Sequence, residues 1–153
     1  MMISQTVEYA LRAVVYLADQ GEAARTTQQI AEATRVPPAY LSKVMQGLSR
    51  GKLVHSQRGL HGGFTLAREP KDITLWDVVQ VIEPIERIRE CPLGLASHRL
   101  RLCPLHQRLD DAIALIERAF RETTITEVLA EPTTSKPLCA FPHIPVTIPH
   151  SDS

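Results

Sequence analysis

Cysteine and histidine are the residue types here with the most chemistry to offer, and they are unevenly placed. The tripeptide Cys-Pro-Leu occurs twice, at residues 91–93 and 103–105, setting the two thiols twelve positions apart. His98 lies between them, and His106 follows three residues after Cys103. A third cysteine, Cys139, stands in a stretch interrupted by Pro132, Pro137, Pro142, Pro145 and Pro149. Both paired cysteines precede proline in a segment with no sustained apolar period, unlike an inert cysteine on a core-facing helix. Thiols and imidazoles in such a loop can hold zinc, and the thiol pair can cycle between dithiol and disulfide. Two ordinary loop cysteines remain the plain alternative. The other histidines, at 55, 61, 143 and 150, are scattered. No Ser-His-Asp order, phosphate-cradling glycine loop or glutamate-paired metal motif is present, so an enzyme is not expected.

A second chemical signal is charge. Lys+Arg and Asp+Glu both number 17, for a net charge of zero. Between Arg25 and Arg68, however, Arg25, Arg35, Lys43, Arg50, Lys52, Arg58 and Arg68 face the single acid Glu32, a local excess of six. Such a cluster suits a polyanion; a solvated arginine-rich surface is the alternative.

The elements that must carry these residues are legible from periodicity. Val7, Ala10, Leu11, Val14, Val15 and Ala18 repeat at three and four residues, predicting an amphipathic helix over 5–19. Thr26 with Gln29 forms a capping-box pattern and opens a short helix over 27–33. Thr34-Arg35-Val36 is the turn, and Pro37-Pro38 suits the first turn of a third helix lined by Leu41, Val44, Met45 and Leu48 and ended by Gly51. Two short helices across a tight turn make a helix-turn-helix pattern. Residues 53–57 alternate as a strand, Arg58 to Gly63 supply a glycine-rich turn, and 64–66 return, so a β-hairpin follows as a wing. Thr74 and Asp77 cap a helix over 75–82 that Pro84 closes. Residues 84–104 read as a loop. Leu105, Leu109, Ala112, Ile113, Ile116, Ala119 and Phe120 form a continuous stripe on a helix over 105–121, and Thr124 with Glu127 caps a last short helix to 129. A stripe this wide beyond the domain core calls for a partner surface.

Composition bounds the rest. A chain of 153 residues is one domain with a tail, and 44% hydrophobic residues suffice for a core. Three cysteines are too few for a disulfide scaffold, no apolar run approaches a membrane span, and the N-terminal residues lack the order of a signal peptide. A cytoplasmic location without membrane contact is expected.

The run Val36-Pro37-Pro38-Ala39-Tyr40-Leu41-Ser42-Lys43-Val44, followed by Arg58-Gly59-Leu60-His61-Gly62-Gly63-Phe64-Thr65-Leu66-Ala67-Arg68, resembles the winged-helix regulators of the IscR, NsrR and CymR kind (the Rrf-two type). The resemblance spans about residues 1–130 and implies a mainly α fold with a small β-hairpin wing. It implies a winged helix-turn-helix domain (1–83), a sensor loop (84–104) and a long C-terminal dimerisation helix region (105–130); beyond it the closely spaced prolines exclude regular helix and predict a mobile tail (131–153). A homodimeric repressor on a near-palindromic double-stranded operator is the implied function, with no small-molecule substrate. The start of a recognition helix lies nearest the major groove, which singles out Pro38, Ala39, Ser42 and Lys43. Tyr40 either contacts the sugar–phosphate backbone or anchors the helix as a half-buried ring. Arg58 matches the family's minor-groove arginine, with a plain surface charge as its alternative. Gly59, Gly62 and Gly63 permit the turn and close backbone approach, and His61 at the tip meets phosphate or solvent.

Many relatives hold an iron–sulfur cluster through three cysteines in this loop. Cys91 and Cys103 match the outer two, while Ser97 stands at the middle position and excludes standard three-cysteine ligation. The resemblance then points to His106, next His98, and to Glu8 reaching in from the partner subunit, with Cys139 a further option. A two-iron two-sulfur cluster is the leading cofactor reading. Zinc, a thiol switch, or a regulator without a cluster that answers to a protein or metabolite stay open.

Overall fold

The computed structural model describes residues 3–98 and 101–132. Its elements run α1 (Gln5–Asp19), α2 (Thr27–Thr34), α3 (Pro38–Arg50), β1 (Val54–Gln57), β2 (Gly63–Leu66), α4 (Leu75–Ile82), α5 (Pro104–Arg121) and α6 (Ile125–Ala130), with short 3₁₀ turns at Pro70–Asp72 and Ala96–His98. This is the expected mainly helical winged helix-turn-helix. Predicted helix ends fall within a residue of those observed, because local capping sets them. All three anticipated capping boxes form, at Thr26/Gln29, Thr74/Asp77 and Thr124/Glu127, each satisfying helix-end N–H groups that would otherwise lack partners. Among the described residues no helix is long and apolar enough to cross a membrane.

The core is built around α1. Val7, Ala10, Val14 and Val15 are buried as the periodicity predicts, but so are Ala13 and Leu17, outside the predicted face. The reason is enclosure: α1 packs against α2, α3, α4, α6 and β2, so it has no single wet side. On α3 the predicted face, Leu41, Val44, Met45 and Leu48, is the buried one. Gly51 ends α3 less by its own dihedrals than by space, since a Cβ there would collide with the Val81 side chain.

The wing is a two-stranded antiparallel sheet in which Val54 pairs with Leu66 and Gln57 with Gly63. A third segment joins it: the Arg25 N–H donates to the Phe64 carbonyl at 3.0 Å, and the Phe64 N–H to the Arg25 carbonyl at 2.7 Å. Gly63 (φ 138°) makes this possible, because a Cβ at that position would lie 2.5 Å from the Arg25 carbonyl carbon.

The C-terminal segment divides. α6 returns to the core through hydrogen bonds from the Ile125 N–H to the Ile73 carbonyl at 2.9 Å and from the Leu75 N–H to the Thr123 carbonyl at 3.0 Å. Ile125 is completely buried there. α5 differs: its only buried residue is Asp110, and Leu105, Leu109 and Leu115 are exposed. The predicted stripe exists, and this protomer leaves much of it uncovered. If α6 is a structural clasp of the core, Ile125→Ala should lower stability by about 2–5 kcal/mol, the usual cost of a large-to-small change in a close-packed site. Urea unfolding checks this; a loss below about 0.5 kcal/mol, typical of surface changes, would show that α6 is dispensable to the core.

Candidate nucleic-acid interface and cysteine loop

Helix α3 presents Pro38, Ala39, Tyr40, Ser42 and Lys43 to solvent on the side opposite its buried face. The Ser42 hydroxyl donates to the Pro38 carbonyl at 3.1 Å, leaving its oxygen available as an acceptor. Tyr40 is 59% exposed, and its ring also meets Tyr9 of α1 edge-on at 6.3 Å between centroids. Its ring is thus anchored against α1 while much of its surface stays exposed. Gln46, overlooked in the sequence, is exposed one helical turn beyond Ser42. Counting by four from Ser42 would have found it, and its amide can pair with adenine.

At the hairpin tip Arg58, Gly59 and His61 are exposed, with Gly59 at φ 104°, a left-handed backbone that favours glycine. Gly62 lies in the tight turn, its N–H donating to the Gly59 carbonyl at 2.9 Å. Leu60, also overlooked, is 96% exposed between them. An apolar residue in a polar, glycine-rich turn has no core to enter, and that mismatch was its sequence signal. Recognition helix and wing together offer a basic, protruding surface of the kind that enters DNA grooves.

The loop between α4 and α5 sorts its thiols into two pairs. Cys91 Sγ lies 3.5 Å from His98 Nδ1, and Cys103 Sγ lies 3.3 Å from His106 Nδ1. Cys103 stands at the cap of α5, and Pro104 opens that helix, so the Cys-Pro-Leu-His run turns His106 back over the thiol. The short 3₁₀ turn at Ala96–His98 does the same for His98. Hydrogen bonding from the Leu95 backbone, then from His98, holds the Cys91 thiol below its ordinary pKa, against a smaller opposing effect of desolvation. Ser97 is exposed. Among the described residues, no three His, Cys, Asp or Glu side chains are gathered closely enough to hold a metal ion. Two thiols and two imidazoles nevertheless match, in kind and number, the donors of a Cys2His2 zinc site or of an iron–sulfur centre with mixed ligands. Cys139 lies outside the described residues.

Glu8 pairs within its own helix. Its carboxylate accepts from Arg12 Nε at 2.7 Å, one turn along α1. Arg12 also donates through Nη1 to the Thr34 carbonyl at 3.1 Å, at the end of α2, and lies over the Tyr9 ring. Glu8 is thus one bond removed from the helix-turn-helix turn.

The loop is fastened by Asp110, which the sequence reading left as an ordinary helix position. Arg87 donates to both carboxylate oxygens at 2.7 and 2.6 Å, and the Ile88 N–H adds a third bond at 2.8 Å. Nothing at position 110 announces this; the partner is 23 residues away. The Arg87 guanidinium, with the Ile88 N–H, holds the Asp110 carboxyl below the usual carboxylate range despite desolvation. A depressed folded-state pKa contributes stability above the unfolded value of about 3.9, and that contribution is lost as pH falls through the lower folded value. Asp110→Asn should therefore unfold at lower urea than the wild type at neutral pH, and the gap should close in strong acid. A gap independent of pH would show that the carboxylate charge contributes nothing.

A family model described as Rrf2, an iron-dependent transcriptional regulator, matches residues 3–131. A protein of Aquifex aeolicus named as an HTH-type transcriptional regulator is 33% identical over 132 residues, covering 84% of this chain and 92% of its own. One from Mycobacterium tuberculosis, similarly named, is 36% identical over 130 residues, covering 84% of this chain and 81% of its own. Among solved structures, IscR of T. potens superposes with a TM-score of 0.72 at 26% identity, covering 87% of this chain and 89% of that one. CymR of B. subtilis, described as a global cysteine regulator, gives 0.67 at 25% identity, covering 85% of this chain and 97% of that one. With nearly all of the described residues matched, the chain belongs to the Rrf2 family of DNA-binding, winged-helix transcriptional regulators.

Proposed function

We propose that this regulator is a cytoplasmic homodimeric repressor whose α5 stripe forms the subunit interface and whose cysteine loop is its sensor. The carrying observation is the pairing of Cys91 with His98 and of Cys103 with His106 in a segment fastened to α5. Two recognition helices related by a twofold axis would read a near-palindrome with half-site centres about 10 bp apart or a multiple of that. Exposed Leu105 and Leu109 on α5 support this reading, as apolar side chains left for another surface.

On the DNA, Lys43 reaches guanine or phosphate and Arg58 enters the minor groove, with Ser42, Ala39 and Pro38 lying against base edges and Tyr40 against the backbone. Gly59, Gly62 and Gly63 shape the wing, and His61 meets phosphate at its tip. Arg58→Ala should weaken specific binding by about 1–3 kcal/mol, and Lys43→Ala should reduce the salt slope by about one if it contacts phosphate. Operator titrations at several salt concentrations, with light scattering of the free protein and the complex, check both claims. A monomer under both conditions overturns the dimer; unchanged binding by Arg58→Ala removes the wing.

In the loop, Cys91, Cys103 and His106, with His98, would hold the cofactor, for which a two-iron two-sulfur cluster is the first choice. When bound, such a centre supplies sensitivity to oxidation and to small reactive ligands. The chain's own part is to present two thiols, each beside an imidazole. Glu8 of the partner subunit is the further candidate donor; recruiting it would cost Arg12 its carboxylate and so disturb the bond to Thr34. A metal-free thiol switch is the second reading, favoured by the hydrogen bonds that stabilise the Cys91 thiolate. Anaerobically purified protein should contain iron and sulfide, lost in Cys91→Ser, Cys103→Ser and His106→Ala, weakened in His98→Ala and Glu8→Ala, and retained in Cys139→Ser. Loss in Cys139→Ser alone would move the site to the tail. Zinc without sulfide selects the zinc reading, and an oxidant-induced disulfide in metal-free protein selects the thiol switch.

A further inference from the structure

Between the loop and α5 lies a cavity of about 460 Å³, lined by Arg87, Arg89, His98, Arg101, Gln107 and Asp110 among others. Its size falls within the range of small-molecule sites. Three guanidiniums against one carboxylate leave a formal excess of two positive charges, and Arg87 already neutralises Asp110 through its two-pronged bond. Among the described residues no hydrogen bond or close ion pair ties down Arg89 or Arg101, although Arg89 acts on Asp110 through its charge. Both arginines line the same cavity, and an oxyanion bound there would offset its excess positive charge. Gln107 adds an amide donor and His98 an imidazole.

We infer that this cavity is a binding site for a small oxyanion, a carboxylate- or phosphate-bearing metabolite held by Arg89 and Arg101. Such a site would be an effector pocket. Its wall includes His98, the partner of Cys91, and Asp110, the residue that fastens the loop to α5. An anion drawing on His98 would change what Cys91 meets, so occupancy and the state of the thiol would influence each other. The pocket needs neither the proposed cluster nor a disulfide, and it stands or falls separately from them.

The test uses the full chain, reduced and freed of metal, titrated with malonate and separately with inorganic phosphate at constant ionic strength set by sodium chloride. The readouts are melting temperature and calorimetry. Saturable stabilisation is expected from at least one anion. Arg89→Gln and Arg101→Gln should each weaken binding by about tenfold, the usual worth of a charge-assisted hydrogen bond, and Arg101→Lys should lose less than Arg101→Gln. Lys71→Gln, exposed on the 3₁₀ turn before α4, should behave as the wild type. Far-ultraviolet circular dichroism checks that each variant is folded. Tighter malonate binding assigns a carboxylate ligand and tighter phosphate binding a phosphorylated one. The inference is overturned by a non-saturating response, by equal responses in all variants, or by arginine variants that lose DNA affinity while neither anion binds the wild type. That last outcome would assign the arginines to the DNA interface.

Discussion

Burial of α1 on nearly every side is the constraint on which the molecule depends. Ala10 and Ala13 are fully buried, and their small side chains let α2, α3, α4 and α6 crowd around one axis. A close-packed interior transmits displacement instead of absorbing it. Helix α1 packs directly against α3, and the Arg12 bond to the Thr34 carbonyl adds a directional link to the turn before it. Glu8 sits at the other end of that link. The chain thus joins a candidate sensing residue to its DNA-reading element within a few ångströms, through one arginine.

α5 is held by a different kind of force. Its apolar residues face outward or are half-buried, and the single buried position is a carboxylate. Arg87 and the Ile88 N–H bind that carboxylate from the loop, while Arg121 lies over the Trp76 ring of α4 at 5.2 Å. Charged, directional contacts fix where a helix sits without burying its stripe, which leaves that stripe for another surface. In the neighbouring loop lie the two Cys/His pairs and the arginine-lined cavity.

Helices, turns and wing were legible in the residues because their causes are local. Thr26, Thr74 and Thr124 carry their own capping partners three residues on, and Leu41, Val44, Met45 and Leu48 bury the face their spacing announces. The outward positions of α3 and the glycines of the wing were readable for the same reason. Residues that act through distant partners were not. Asp110 looks like any helix-surface acid until Arg87 is placed beside it, and Ala13 and Leu17 become core in a helix packed against α2, α3, α4, α6 and β2.

The cysteine loop divides along the same line. The repeated Cys-Pro-Leu singled out Cys91 and Cys103, and the family resemblance added His106, which the Cys-Pro-Leu-His run entering α5 brings back to its own thiol. That His98 meets Cys91 across seven residues, and that Arg89 and Arg101 converge on one cavity, depends on where the loop lies against α5. Sequence by itself determined the elements, the reading head and the identity of the thiols, because short-range hydrogen bonding and apolar periodicity specify them. Only the tertiary structure decided which side chains share a cavity and which acid is buried, because those follow from contacts between segments that no local pattern encodes.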